Sequence, residues 1–135
     1  MGDAPHKEVI LDLDFGLFQE LPLFRISLMN GGFYLLRGCV VARDPENSEN
    51  QNRGIYRMQI KDRGRIGIQI SAQHDLAAYP RKAEKMNVPL RAAVSISNDP
   101  ITSFVASSPL RYEEDKYAMM GAIRGEPVQV VASEG

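Results

Sequence analysis

A single cysteine, Cys39, in 135 residues excludes an intrachain disulfide framework. Its place in an apolar run predicts a buried, structural thiol in a reducing cytoplasm. Charge of one sign is also missing. With a formal net charge of −1, the chain has no general electrostatic pull toward nucleic acid, and Arg63, Arg65, Arg81 and Lys82 read as solvated positions. There is no apolar run long enough to cross a bilayer, no signal-peptide pattern, no repeat and no low-complexity stretch, so the expectation is a cytoplasmic protein with neither nucleic-acid nor membrane partners. The length predicts one domain with a modest buried fraction.

What is present concentrates in Asp44 to Gln59, DPENSENQNRGIYRMQ. Asp44-Pro45 is a turn-forming step, and the polar run Glu46 to Gln51 reads as a loop. From Gly54 the pattern becomes a strand, with Tyr56, Met58 and Ile60 on one face and Ile55, Arg57, Gln59 and Lys61 on the other. An arginine among apolar strand neighbours either pairs with a carboxylate, Glu46 or Asp62 being the candidates, or waits for an anionic ligand. Asp62-Arg63-Gly64-Arg65 is a tight-turn signal, and Ile66 to Ser71 reads as the return strand. Antiparallel pairing about that turn carries Gln73 and His74 back beside Arg53 and Gly54, next to Asn52. An amide oxygen and an imidazole can contribute to a divalent cation site, but two ligands alone are too few for a tight one.

The other elements follow from pattern. Lys7 to Asp12 is predicted as a strand, Gly32 to Val41 as one buried strand because its apolar residues barely alternate, and Leu90 to Ile96 as a strand presenting Ala92, Val94 and Ile96 on one face. His74 to Asn87 is predicted helical, interrupted or begun at Pro80. Asp99 caps a short helix that starts at Pro100, Asp115 to Ile123 forms another that closes near Gly125, and Val128 to Ala132 is a last, unpartnered edge strand. The sum is an α+β fold in which antiparallel sheet dominates.

Asp44-Pro45, Asn52-Arg53-Gly54-Ile55-Tyr56-Arg57-Met58-Gln59, Asp99-Pro100, Ala106-Ser107-Ser108-Pro109-Leu110 and Gly121-Ala122-Ile123-Arg124-Gly125-Glu126-Pro127-Val128 occur in an order that resembles the central domain of the UbiD decarboxylases, over roughly Pro22 to Val131. The resemblance implies a split β-barrel of the flavin-reductase-like type and chemistry with prenylated FMN, which adds or removes CO2 on aromatic and unsaturated acids without net redox change. It implies a divalent metal (Mn or Mg) and K beside the cofactor phosphate. On this chain Asn52 and His74 match the metal ligands, Arg57 the arginine that contacts flavin and substrate, and Gln73 a residue lining the cofactor. Ala106 and Ser107 match the main-chain oxygens that meet the monovalent cation.

Three departures accompany these matches. Lys116 stands where the family carries the glutamate that completes the metal site, and an ammonium group repels a metal instead of ligating it; Glu113, Glu114 or Asp115 could substitute only with a backbone shift. The catalytic glutamates of the family fall in a part with no counterpart here, so the chain by itself supplies no carboxyl group for proton transfer. Ser97 occupies a turn position where the family has glycine. The resulting expectation is one UbiD-like central domain over residues 1–135, truncated, with an extension over about residues 1–20. It would act as a small, structural or regulatory subunit partnered by a full-length UbiD-like catalytic subunit, with a homo-oligomer also open. The alternative is a flavin-binding half-site completed in trans. Plainer roles stand beside these: His74 as a helix cap, Arg57 in a structural ion pair, Asn52 as a turn residue, Met119 and Met120 as packing, and Glu113 to Asp115 as solvated charge at a helix start.

Overall fold

A computed structural model describes residues 7–9, 11, 16, 20–25, 27–62, 64–111 and 114–133. The described strands are β1 (Phe33–Leu35), β2 (Cys39–Arg43), β3 (Gln51–Ile55), β4 (Arg57–Ile60), β5 (Ile66–Gln69) and β6 (Ala92–Ser95). A 3-10 turn at Asp75–Ala77 leads into α1 (Ala78–Lys85), and α2 (Pro100–Ser107) and α3 (Lys116–Arg124) follow β6. All pairings are antiparallel, in two three-stranded sheets of order β1-β4-β5 and β3-β2-β6. The described strands form these two sheets and no closed ring, so the α+β reading stands and closure into a barrel does not follow from them.

The chain crosses between the sheets twice, side by side. Leu35 pairs with Met58 in one sheet and Cys39 pairs with Ile55 in the other, so three residues, 36–38, oppose two, 56 and 57. That one-residue offset is a bulge, which bends a paired ribbon and lets it serve two sheets. The run Gly32 to Val41 is therefore two strands, not one; a Cβ on Gly38 would overlap the terminal methyl of Met58, so a larger residue there requires the fully buried Met58 side chain to shift. The hairpin of β4 and β5 pairs Arg57 with Gln69 and Ile60 with Ile66, as the turn chemistry predicts. Met58 and Ile60 face inward and Arg57 outward.

Leu35, Val40, Ala42, Tyr56, Met58, Ile60, Leu76 and Tyr79 make the core. Leu76 and Tyr79 come from the 3-10 turn and α1, so that helix closes one side of the bent ribbon. Thr102, Val105 and Ala106 of α2 and Met120 of α3 are buried where α2 packs on α3 and β3. Two predicted strands are corrected. Val128 to Ala132 makes no ladder with the described strands and is mostly exposed. Lys7 to Val9 and Leu11 are not in a strand either, with Val9 and Leu11 exposed, whereas Ile10 and Asp12 lie outside the described residues. The loop before β3 is also shorter than expected: the Asp44 N–H donates to the Asn50 carbonyl at 2.9 Å, which lets β3 begin at Gln51.

Asp99 caps α2 as predicted, its carboxylate accepting from the N–H groups of Ile101 at 3.1 Å and Thr102 at 3.2 Å, with Arg124 of α3 paired to it at 2.7 Å. The hydrogen bonding from Thr102, followed by Arg124, holds its carboxyl down to about 2 from 3.8. The folded state therefore gains stability above the ordinary carboxylate value and loses it as pH falls through about 2. Melting curves taken across that window should show an acid-labile component that Asp99→Ala removes, at a cost near ~1 kcal/mol at neutral pH as for other N-caps.

Ser97 has φ 61, the left-handed region in which a side chain is strained and glycine is not. Ser97→Gly should raise stability by about 0.5–1 kcal/mol, read as a higher urea midpoint at unchanged slope.

Candidate functional site

Asn52, Gly54 and Tyr56 alternate along one face of the ribbon, and the gap at Gly54 lets the Tyr56 ring fold back. Its hydroxyl donates to Asn52 Oδ1 at 3.2 Å. The His74 ring meets the Tyr56 ring edge-on at 5.3 Å between centroids. Asn52 and His74 thus converge on Tyr56. Burial pushes the Tyr56 phenol up to about 12, with Asp75 and Cys39 adding to the effect.

The same two groups act on Lys116. Its ammonium donates to the Ala106 carbonyl at 3.0 Å; burial lowers its pKa, and Asp75 and Cys39 oppose that shift. The start of α3 docks on β3 through Tyr117, whose hydroxyl accepts from Gln51 at 3.4 Å and Arg53 at 3.3 Å on either side of Asn52, and Cys39 pairs with Ile55, so Asn52, Tyr56, His74, Asp75, Cys39, Ala106 and Lys116 form one neighbourhood around β3. Tyr56, Asp75 and Cys39 were not singled out from sequence as members of it. The pattern Asn-x-Gly-x-Tyr, which puts three residues on one strand face with room in the middle, is the signal that points to Tyr56.

Arg57 lies on the opposite side of the ribbon. Its guanidinium stacks over the Tyr34 ring at 4.8 Å, and among the described residues no carboxylate pairs with it: Glu46 pairs with Lys82, and Asp62 with Arg65. Both ion pairs considered for Arg57 are thereby corrected, since each acid pairs with another base. Arg57 and Tyr34 separate two shallow cavities. One, of about 240 Å³, is lined also by Phe24, Ser27, Asn30 and Leu36; the other, of about 320 Å³, by Gln59, Lys61, Gly67, Ile68 and Gln69. Gln73 is exposed, and Ser107 is exposed with its hydroxyl turned back onto the Ser103 carbonyl.

A divalent metal does not fit these residues as they stand. Asn52 Oδ1 already accepts from Tyr56, and His74 Nδ1 accepts from the Ser71 N–H at 3.2 Å. Among the described residues no three His, Cys, Asp or Glu side chains gather as a ligand set. Of the acids near Lys116, Glu114 accepts from the Arg111 N–H, Asp115 caps α3 through the Tyr117 N–H, and Glu113 lies outside the described residues. His74 does not cap the following helix with its side chain. A flavin nucleotide would meet Arg57 and Tyr34, a cation and an aromatic face suited to an anionic, planar ligand. Those cavities lie near the lower end of the ~300–1,000 Å³ of sites that enclose a small molecule.

The family model described as 3-octaprenyl-4-hydroxybenzoate carboxy-lyase Rift-related domain (UbiD) matches residues 1–135. A phenolic acid decarboxylase of Sedimentibacter hydroxybenzoicus is 44% identical over 135 residues, covering 97% of this chain and 28% of that protein. The structure of vanillic acid decarboxylase from the same organism in its closed form superposes with a TM-score of 0.92 at 44% identity, over 98% of this chain and 29% of the other. An evolved dimeric form of the UbiD-class enzyme HmfF from Pelotomaculum thermopropionicum, solved in complex with prFMN, gives 0.91 at 29% identity, over 98% of this chain and 30% of the other. The chain spans little more than a quarter of the length of the curated relatives it matches. Among the described residues, no helix is long and apolar enough to cross a membrane.

Proposed function

The chain belongs to the UbiD family, and from that premise we propose that it is a component of a prenylated-FMN-dependent carboxylase or decarboxylase assembly, forming one wall of the flavin cleft without turning over substrate by itself. The observation that carries this reading is Arg57, held by Tyr34 at the mouth of an open cavity and without a carboxylate partner among the described residues. Arg57 is exposed and stacked in place, so an anion can reach its guanidinium fork directly, and a flavin phosphate or a substrate carboxylate is such an anion. When bound, prenylated FMN would supply the electron sink for exchange of CO2. Arg57 orients the anion and Tyr34 fixes Arg57. Lys116, where a metal-ligating acid is expected, supports a structural or regulatory part in the assembly.

The bent ribbon with its two sheets is the portion of a split barrel that further strands would complete. Val94 and Ile96 by edge strand β6, Phe104 on α2 and Val130 near the end of the described chain are exposed, and apolar surface of that kind is covered in an assembly. A full-length UbiD-like polypeptide is the partner this reading names, with phenolic acids as the substrate class that the names of the relatives suggest.

The test is cofactor content. The chain is purified alone and with its partner, and any released flavin is characterised by absorbance and mass. Flavin is expected in the complex; a complex without flavin, or a chain that stays monomeric beside the partner, sinks the proposal. In the complex, Arg57→Ala should leave the stability within about 0.5 kcal/mol of wild type, as at other surface positions. It should lower carboxylase or decarboxylase activity roughly 100-fold, the order seen when an electrostatic contact to a reacting anion is deleted.

A further inference from the structure

We propose that the Lys116 ammonium is the permanent cation of the Asn52–His74 neighbourhood, a tethered charge that satisfies the C-terminal end of α2 and makes the site independent of divalent metal. Lys116 is the first residue of α3, where the helix dipole disfavours a positive charge. Its ammonium instead reaches across to Ala106 in the last turn of α2, where a neighbouring dipole favours it. A helix leaves its last four carbonyls without partners inside it. In α2 the Ser108 hydroxyl donates to the Phe104 carbonyl and the Ser108 N–H to that of Val105. Ala106 is buried, beyond easy reach of water, and Lys116 is the donor that serves its carbonyl.

Neighbouring contacts hold the lysine at this address. Tyr117, the next residue, accepts hydrogen bonds from Gln51 Nε2 at 3.4 Å and Arg53 Nη1 at 3.3 Å, and the Arg53 guanidinium lies over its ring at 5.4 Å. Arg53 is itself fixed by Asn98 Oδ1 at 2.8 Å. The first turn of α3 is thus docked on β3, and the four-carbon stem of Lys116 points its charge at α2. A metal ion approaching Asn52 would meet an amide oxygen already bonded to Tyr56, on the stretch of β3 against which the first turn of α3 brings the lysine.

The inference rests on the family reading only for the choice of metal to try. Its test needs neither flavin nor partner, so an absence of flavin would sink the proposed function and leave this one standing. Free Mn2+ is followed by electron paramagnetic resonance while the full chain is titrated, and thermal melts are recorded with and without Mn2+. The wild type should leave the free Mn2+ signal unchanged up to about 1 mM, with no shift in melting. Lys116→Met should melt several degrees lower, as loss of a half-buried charge-assisted hydrogen bond to a buried residue implies. Lys116→Glu should gain Mn2+ affinity at least ~10-fold, through the Coulomb change from repulsion to attraction. Mn2+ binding by the wild type below about 1 mM, a Lys116→Met variant that melts like the wild type, or a folded Lys116→Glu variant with unchanged Mn2+ affinity would each overturn it. Should Lys116→Glu fail to fold, the wild-type titration and the Lys116→Met melt decide the matter alone.

Discussion

Asp44→Ala is expected to destabilise the protein by about 3 kcal/mol, the low end of what removing one partner of a buried ion pair costs. Asp44 is only 3% exposed. Its carboxylate receives Lys82 of α1 at 2.6 Å and the Glu46 N–H at 2.9 Å, while Lys82 also pairs with Glu46 at 3.0 Å. One carboxylate thus closes the turn between β2 and β3 and pins α1 to it. Lys82 remains partly exposed, and some of its attraction is screened, which is why the low end applies. The corresponding drop in melting temperature is roughly 10 °C for a chain of this size. A double-mutant cycle with Lys82→Met separates the pair from the turn: if the two losses simply add, the ion pair contributes nothing and the turn bond accounts for the effect.

Gly54→Val should cost about 3 kcal/mol, near the upper end for overpacking a core, and Gly54→Ala somewhat less. A Cβ at Gly54 would lie 2.7 Å from Tyr56 Cε2, 2.8 Å from its hydroxyl and 2.9 Å from Cζ. Tyr56 is 7% exposed, so its ring has nowhere cheap to go, and the bond to Asn52 and the contact with His74 go with it. Near-ultraviolet titration of the phenols provides a site-specific readout. In the wild type the raised Tyr56 value means that the unfolded phenol ionises first, so this contribution to stability is complete below pH 10 and disappears as pH rises through about 12. In the glycine variants one phenol should titrate closer to the ordinary value. A Gly54→Ala protein with wild-type melting and an unchanged phenol titration would show that the Tyr56 ring yields freely, contrary to its packing.

Local chemistry made much of the fold legible. Asp99-Pro100 and Asp115 announce the starts of α2 and α3, and Gly125, with φ 76, ends α3. The strand alternation of residues 56–60 and the turn at Asp62–Arg65 give the β4–β5 hairpin its correct register. The Gly32 to Val41 run misled because a continuous apolar stretch does not record where a strand leaves one sheet for another. That is decided by the bulge opposite Tyr56 and by Gly38 against Met58, contacts between residues distant in sequence. Val128 to Ala132 has strand-forming residues but pairs with none of the described strands.

The candidate site divides in the same way. Residue identity alone determined the family, and it is what matches Asn52, His74, Arg57 and Ala106 to a UbiD-like pattern with an ammonium group where an acid is expected, because family motifs and side-chain chemistry are properties of the linear chain. Tertiary structure alone decided that Tyr56 joins Asn52 to His74, that Arg57 faces away from them toward Tyr34, and that the Lys116 charge docks on the end of α2. Those outcomes depend on which strand face turns inward and which helix ends meet, and packing across the whole ribbon sets both.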